Sequence, residues 1–225
     1  YEATKKKFQR AKAHFRSSGL SLEIPSNELL KERMDSVLKV IFLIFTEGYR
    51  PTDGDQLLKE DVCYEAMRIA SAMYRHEAFK TSNLYALLAM MCYKSARIQA
   101  RMQGGNDFIR LKDQNRDLWE KGLIAKGNEF LYLAFQRDNH SEYHFHAAVE
   151  SQYVTVDSFE KTDWDKLLNI YNYWKKTTKN PALELNRIVV VMHAQGAETA
   201  LNELEKNCTE GNDHRYHAIK GELFC

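Results

Sequence analysis

The chain is poor in the residues that interrupt regular structure: three prolines and ten glycines in 225 residues. That scarcity excludes a fold of many short strands joined by tight turns. It also lacks an excess of charge. Lys and Arg total 32 against 31 Asp and Glu, a formal net charge of +1, so no global field draws the molecule to nucleic acid or acidic lipid. Cysteine is sparse and scattered at Cys63, Cys92, Cys208 and Cys225, with no C-x-x-C pair. A disulfide framework is not expected, and free thiols in a reducing cytoplasm are. A dense apolar run, "VIFLIF" from Val40, follows Lys39 and is far short of the roughly 20 residues that a membrane span needs.

Chemical signatures are missing too. There is no G-x-S-x-G, no G-x-x-x-x-G-K, no G-x-G-x-x-G and no H-E-x-x-H. The chain therefore reads as non-enzymatic, with no cofactor and no metal. The histidines of "HSEYHFH" are the nearest thing to a ligand set. However, Ser141 reads as a helix cap, which leaves His140 outside the helix and sets His144 and His146 about 200° apart on it.

What is present is helical periodicity, and the expected class is all-α. "YEATKKKFQRAKAHFR" is a basic helix with Phe8, Ala11 and Phe15 on one side, and its cations Lys5, Lys6, Lys7, Arg10, Lys12 and Arg16 could meet phosphates. Residues 18–25 read as a linker, with Gly19 as a stop and Pro25 holding the chain extended. Ser26 or Asn27 can cap a helix with Leu30, Met34, Val37, Ile41 and Ile44 on one face, widened by Leu38, Phe42 and Phe45 until burial all round is expected. That makes it the central helix of a bundle. Gly48 suits a C-terminal cap there, and Tyr49 can pack beside it. Glu47 sits badly at a helix C-terminus, so a cation, Arg97 or Arg101, is expected to compensate it.

A helix is expected from about Leu57, and another, very apolar and then basic, over "SNLYALLAMMCYKSARIQARM". A loop with Gly104 and Gly105 at its tip and a short extended piece over 108–111 comes next. Arg97 and Arg101 beside Asp113, Arg116 and Asp117 invite arginine–carboxylate pairing. Further helices are expected from near Arg116, carrying Trp119, from near Ser141, and from Thr162 or Asp163. Asn180–Pro181 opens a pair broken by Gly196, and this last part resembles tetratricopeptide repeats. The expected architecture is a helical bundle over 26–160 continuing into TPR-like helix pairs over 161–225.

Several stretches together resemble one family. "TKKKFQRAKAHFR" is similar to the end of the last helix-turn-helix of bacterial extracytoplasmic-function (sigma-70 type) sigma factors, through Gln9, Arg10, Ala11, Lys12 and Arg16. "LEIPSNELLKERMDSVLKVIFLIFTEGY" resembles the segment that follows in members with a large helical C-terminal extension. Pro25, Leu30, Arg33, Met34, Val37, Leu38, Ile44, Phe45, Glu47, Gly48 and Tyr49 fall in place, with Thr46 where the family has Asn. "SARIQAR", "KDQNRDLW" and "NPALELNRIVVV" resemble later motifs of that extension. Ser95, Lys112 and Asn115 each stand where the family has an acid, while Arg97, Arg101, Asp113, Gln114, Arg116 and Trp119 match.

The resemblance implies a role rather than a reaction. Residues 1–17 would end the DNA-reading helix, and the rest would be a regulatory or protein-interaction module. Core RNA polymerase and promoter DNA would be partners of the full-length protein. The start at Tyr1 without a methionine and the stop at "GELFC" lead to the expectation of a fragment of a longer, cytoplasmic protein. A stand-alone TPR-like scaffold without a transcriptional role is the alternative.

Overall fold

The computed structural model describes residues 2–19, 27–52, 56–103, 107–136, 140–178, 180–208 and 214–224. Among these the chain is all-α, with eleven helices and no strand. It divides into two compact units, Tyr1–Asp35 and Ser36–Cys225. The first holds α1 (Glu2–Ser17) and the start of α2 (Asn27–Tyr49). On α1 the side chains of Lys6, Arg10, Lys12 and Arg16 are exposed, while those of Lys5 and Lys7 lie outside the described residues, as do Pro25, Ser26 and the loop tip Gly104–Gly105.

The second unit holds the rest of α2, then α3 (Glu60–Tyr74), α4 (Ser82–Ser95), α5 (Ile98–Met102), α6 (Lys121–Ala134), α7 (Glu142–Val154), α8 (Trp164–Thr177), α9 (Pro181–Gln195), α10 (Ala197–Asn207) and α11 (His214–Leu223). Its central helix is α4, not α2. Ten of the fourteen α4 residues are buried, from Leu84 to Ser95, and α4 packs on α3, α6 and α7. On α2, Leu38, Ile41 and Phe45 are buried, but Val37, Val40 and Leu43 are exposed. The apolar run of α2 is thus wider than the face the bundle covers.

The caps follow their chemistry. Thr81, Asp163 and Asn180 each accept a backbone N–H at the start of α4, α8 and α9. Ser141 and His144 form a reciprocal box at α7. Gly196 takes φ +94°, a left-handed value that favours glycine, and separates α9 from α10. The pair α8–α9 packs on itself, and α9 packs on α10 and α11, around Leu167, Ile188, Val191, Ala200 and Leu204.

Three boundaries differ from expectation. The stretch expected as one helix over 82–102 breaks at Ala96–Arg97, where Arg97 has ψ 0°. The break frees the Ala96 carbonyl to accept Glu120 N–H at 2.9 Å. The helix expected from near Arg116 begins at Lys121, behind single 3-10 turns at Leu111–Asp113 and Arg116–Leu118. The piece over 108–111 is not a strand; Ile109 N–H makes one bond, to the Arg101 carbonyl at 2.9 Å.

A candidate functional site built on three arginines

Two helix ends and one buried carboxylate organise the site. At the C-terminus of α2, Arg101 Nη1 donates to the Tyr49 carbonyl at 2.7 Å. A cation at that end also meets the negative pole of the helix dipole. Its guanidinium lies between two rings, 4.1 Å from the Tyr49 centroid and 3.6 Å from that of Phe108. At the C-terminus of α7, Arg116 Nη1 donates to the Tyr153 and Val156 carbonyls, both at 2.8 Å. Arg116 also stacks 4.2 Å from the Trp119 ring. Arg101 and Arg116 thereby satisfy the Tyr49 and Tyr153 carbonyls, which the ends of α2 and α7 leave unpaired.

Arg97 stands between them, 6% exposed, and donates to Glu150 Oε2 of α7. Lys94 Nζ donates to the other carboxylate oxygen at 2.5 Å. Burial alone would raise the Glu150 carboxyl, but the Lys94 and Arg97 charges outweigh it and hold the group down at about 2. A buried carboxylate between two cations is a costly arrangement that fixes one geometry, here the mutual position of α4 and α7.

Several expected pairings do not form. Glu47 meets neither Arg97 nor Arg101. Its carboxylate accepts Thr52 N–H at 3.1 Å and Thr52 Oγ1–H at 3.0 Å, with Lys59 Nζ 3.8 Å away. Both acceptor contacts are local because Glu47 faces the turn that follows its own helix. Asp113 pairs with Arg110 at 3.0 Å on the surface instead of with Arg97 or Arg101. Gly48 is not a cap but the last-but-one helical residue of α2. A Cβ there would lie 2.9 Å from both Cys63 N and Cys63 Sγ, and the Gly48 carbonyl accepts Lys59 N–H at 2.8 Å. The glycine permits close approach of α3. Gln114 is buried, with Nε2 donating to the Ile109 carbonyl at 3.0 Å.

Of the residues singled out in the sequence, Tyr49, Arg97, Arg101, Arg116 and Trp119 therefore belong to one cluster, and Glu47 and Asp113 do not. Lys94 and Glu150 were missed. The signal for Glu150 was an acid in the second half of a helix, with "HFHAAV" before it and "SQYV" after it, most of whose residues are apolar or aromatic. Among the described residues no group of three or more metal-ligating side chains occurs. His144 is spent on the α7 cap and on Ser82 Oγ at 2.7 Å, and His146 packs edge-on to Trp174 at 4.7 Å. Cys63 and Cys92 are buried free thiols whose burial pushes them up to about 11 and about 12. Among the described residues no helix is long and apolar enough to cross a membrane.

Residues 33–135 match a family described as a family of unknown function, DUF6596. The matched stretch contains Tyr49, Arg97, Arg101, Arg116 and Trp119 and stops short of Glu150. Over 223 residues, 99% of this chain, the sequence is 27% identical to an uncharacterized protein of Rhizobium meliloti (strain 1021). The match covers 52% of that protein, so the chain spans about half the length of the curated relative it matches. No solved structure matches.

Proposed function

We propose that this chain is the C-terminal regulatory and protein-interaction region of an extracytoplasmic-function RNA polymerase sigma factor, acting in transcription initiation in the bacterial cytoplasm and carrying out no catalysis of its own. One observation carries the reading. The residues that resemble the sigma-factor extension, from the three separate stretches "EGY", "SARIQAR" and "KDQNRDLW", meet in one arginine cluster that joins the ends of α2 and α7. Residues so far apart in sequence have a shared physical reason to occur together. In this reading Lys5, Lys6, Lys7, Arg10, Lys12 and Arg16 belong to the promoter-reading helix. Core RNA polymerase binds through other parts of the full-length protein.

The test uses the full-length protein that contains this chain. It should co-purify with core RNA polymerase and direct transcription from its own promoter in a purified system. Glu150→Gln, which unsettles the arginine cluster, should change that output without abolishing polymerase binding. A full-length protein that never associates with core polymerase overturns the proposal. A second reading, a protein-binding scaffold without a transcriptional role, draws on the successive packing of α8 to α11. It predicts a stable partner that co-purifies with residues 161–225 intact and polymerase absent.

A further inference from the structure

At the end of α7 away from the arginine cluster, a cavity of about 480 Å³ lies between the start of α7, the end of α8 and the start of α9. We propose that this cavity binds a small uncharged ligand that carries a carboxamide on an apolar ring.

The first argument is unmet hydrogen bonding on groups that a ligand can reach. His146 lines the cavity and is partly exposed. Neither of its ring nitrogens has a hydrogen-bond partner among the described residues, and neither is sealed in the packed interior. Asn186, exposed, and Thr178, half-buried, line the same cavity with side chains that are likewise unpaired. Burial, and then the Lys94 charge, keeps the imidazole neutral at pH 7. A neutral imidazole, an amide and a hydroxyl each both donate and accept. What answers all three is a group that does the same. A carboxamide offers a carbonyl oxygen and two N–H bonds in one plane.

The second argument is charge. Among the described residues no Lys or Arg lines the cavity, and the one lining carboxylate, Glu142, is already paired with Lys39 at 2.7 Å. An anion would meet Glu142. A cation would meet the positive ends of α7 and α9, which both start at the cavity. Lys39 and Lys94 also bear on His146, with Glu142 and Glu150 opposing them. Glu150 is held in turn by Lys94 and Arg97. An ion of either sign would therefore give up its hydration without gaining a counter-ion of its own. A neutral ligand avoids that cost.

The walls supply the rest. Trp174, Ala182 and Leu183 form the apolar side, against which a ring can lie. The volume falls within the range of small-ligand sites, about 300–1,000 Å³. This inference is independent of the transcriptional reading, and its test uses no transcription.

Calorimetric titration of the 225-residue chain with benzamide, benzoate and benzylamine decides it. The three probes share one ring and differ in the charge of the head group. Benzamide should bind once per chain with a Kd of about 1 mM or tighter, and the two ions at least about tenfold more weakly. His146→Phe keeps an aromatic ring beside Phe42 and Trp174, removes both nitrogens, and should weaken benzamide about tenfold. Asn186→Ala, at an exposed position, should weaken it about fivefold with an unchanged circular dichroism spectrum. In the unmodified chain, the His146 ring resonances should move as benzamide saturates. The proposal is overturned by no saturable benzamide binding, by equal binding of either ion, or by His146 resonances that stay put at saturation.

Discussion

At Glu150 burial and charge act in opposite directions, and charge wins. A carboxyl held at about 2 in the fold, against an ordinary 4.5, contributes stability that is complete above the unfolded value and is lost as pH falls from about 4.5 towards 2. His146 has its own window. Burial first, then the Lys94 charge, holds its imidazole down at about 4, with Glu150 and Glu142 opposing and Lys39 adding to the depression. The fold keeps it neutral while the unfolded chain takes up a proton, so its contribution is lost as pH falls from 6.5 to about 4. Urea unfolding across pH should therefore show acid destabilisation in two stages. His146→Phe should reduce the upper stage, to which His144 and His193, likewise held down by burial, also contribute, and Glu150→Gln should flatten the lower. At pH 7, Glu150→Gln should also lower unfolding free energy by about 3–5 kcal/mol, because Arg97 is left buried beside a neutral partner. A variant as stable as the parent at pH 7 would mean that water reaches Arg97.

Between elements, two glycines decide how closely helices approach. At Gly48 an added Cβ would press on the backbone and thiol of Cys63, and at Gly127 on the ring of the fully buried Tyr93, 2.6 Å away. At Gly122, also helical, a Cβ meets nothing within 4 Å. Gly48→Ala should cost about 1–3 kcal/mol through overpacking. Gly122→Ala should be neutral or stabilise by up to about 1 kcal/mol, since alanine is the better helix former. Chemical denaturation of the two variants side by side checks the contrast; equal effects would refute the close-approach account of Gly48. Asn180→Ala removes the acceptor for Ala182 N–H at the start of α9 and should cost about 0.5–2 kcal/mol. Differential scanning calorimetry should show it as a lower melting temperature.

For the whole molecule, a net charge of +1 leaves α1 as the local basic excess, with Lys6, Arg10, Lys12 and Arg16 exposed on it. Residues 1–225 should bind duplex DNA weakly and without sequence preference, with log K falling as salt rises by about 0.9 per phosphate contact. Fluorescence anisotropy at two salt concentrations measures this. Replacing those four cations by glutamine should remove the residual binding. Tight, promoter-specific binding at low salt would show that the chain carries a complete DNA reader.

The all-α class was legible because helical periodicity and capping are local. Asp163 and Asn180 announce helix starts, and Gly196 a break, from their own chemistry and immediate neighbours. The arginines were legible as a type, since a guanidinium at the end of an apolar helix must find oxygen. Which oxygen it finds depends on what the fold brings near. Arg101 met the Tyr49 carbonyl, Arg97 met Glu150, and Arg116 met the open end of α7, each across 37 to 53 residues. Glu47 satisfied itself locally with Thr52, and α4 rather than α2 took the centre. Sequence alone determined the helices and the chemical needs of their ends. Only the tertiary structure decided the partners, because apolar burial and ion pairing are properties of neighbours that the chain supplies from a distance.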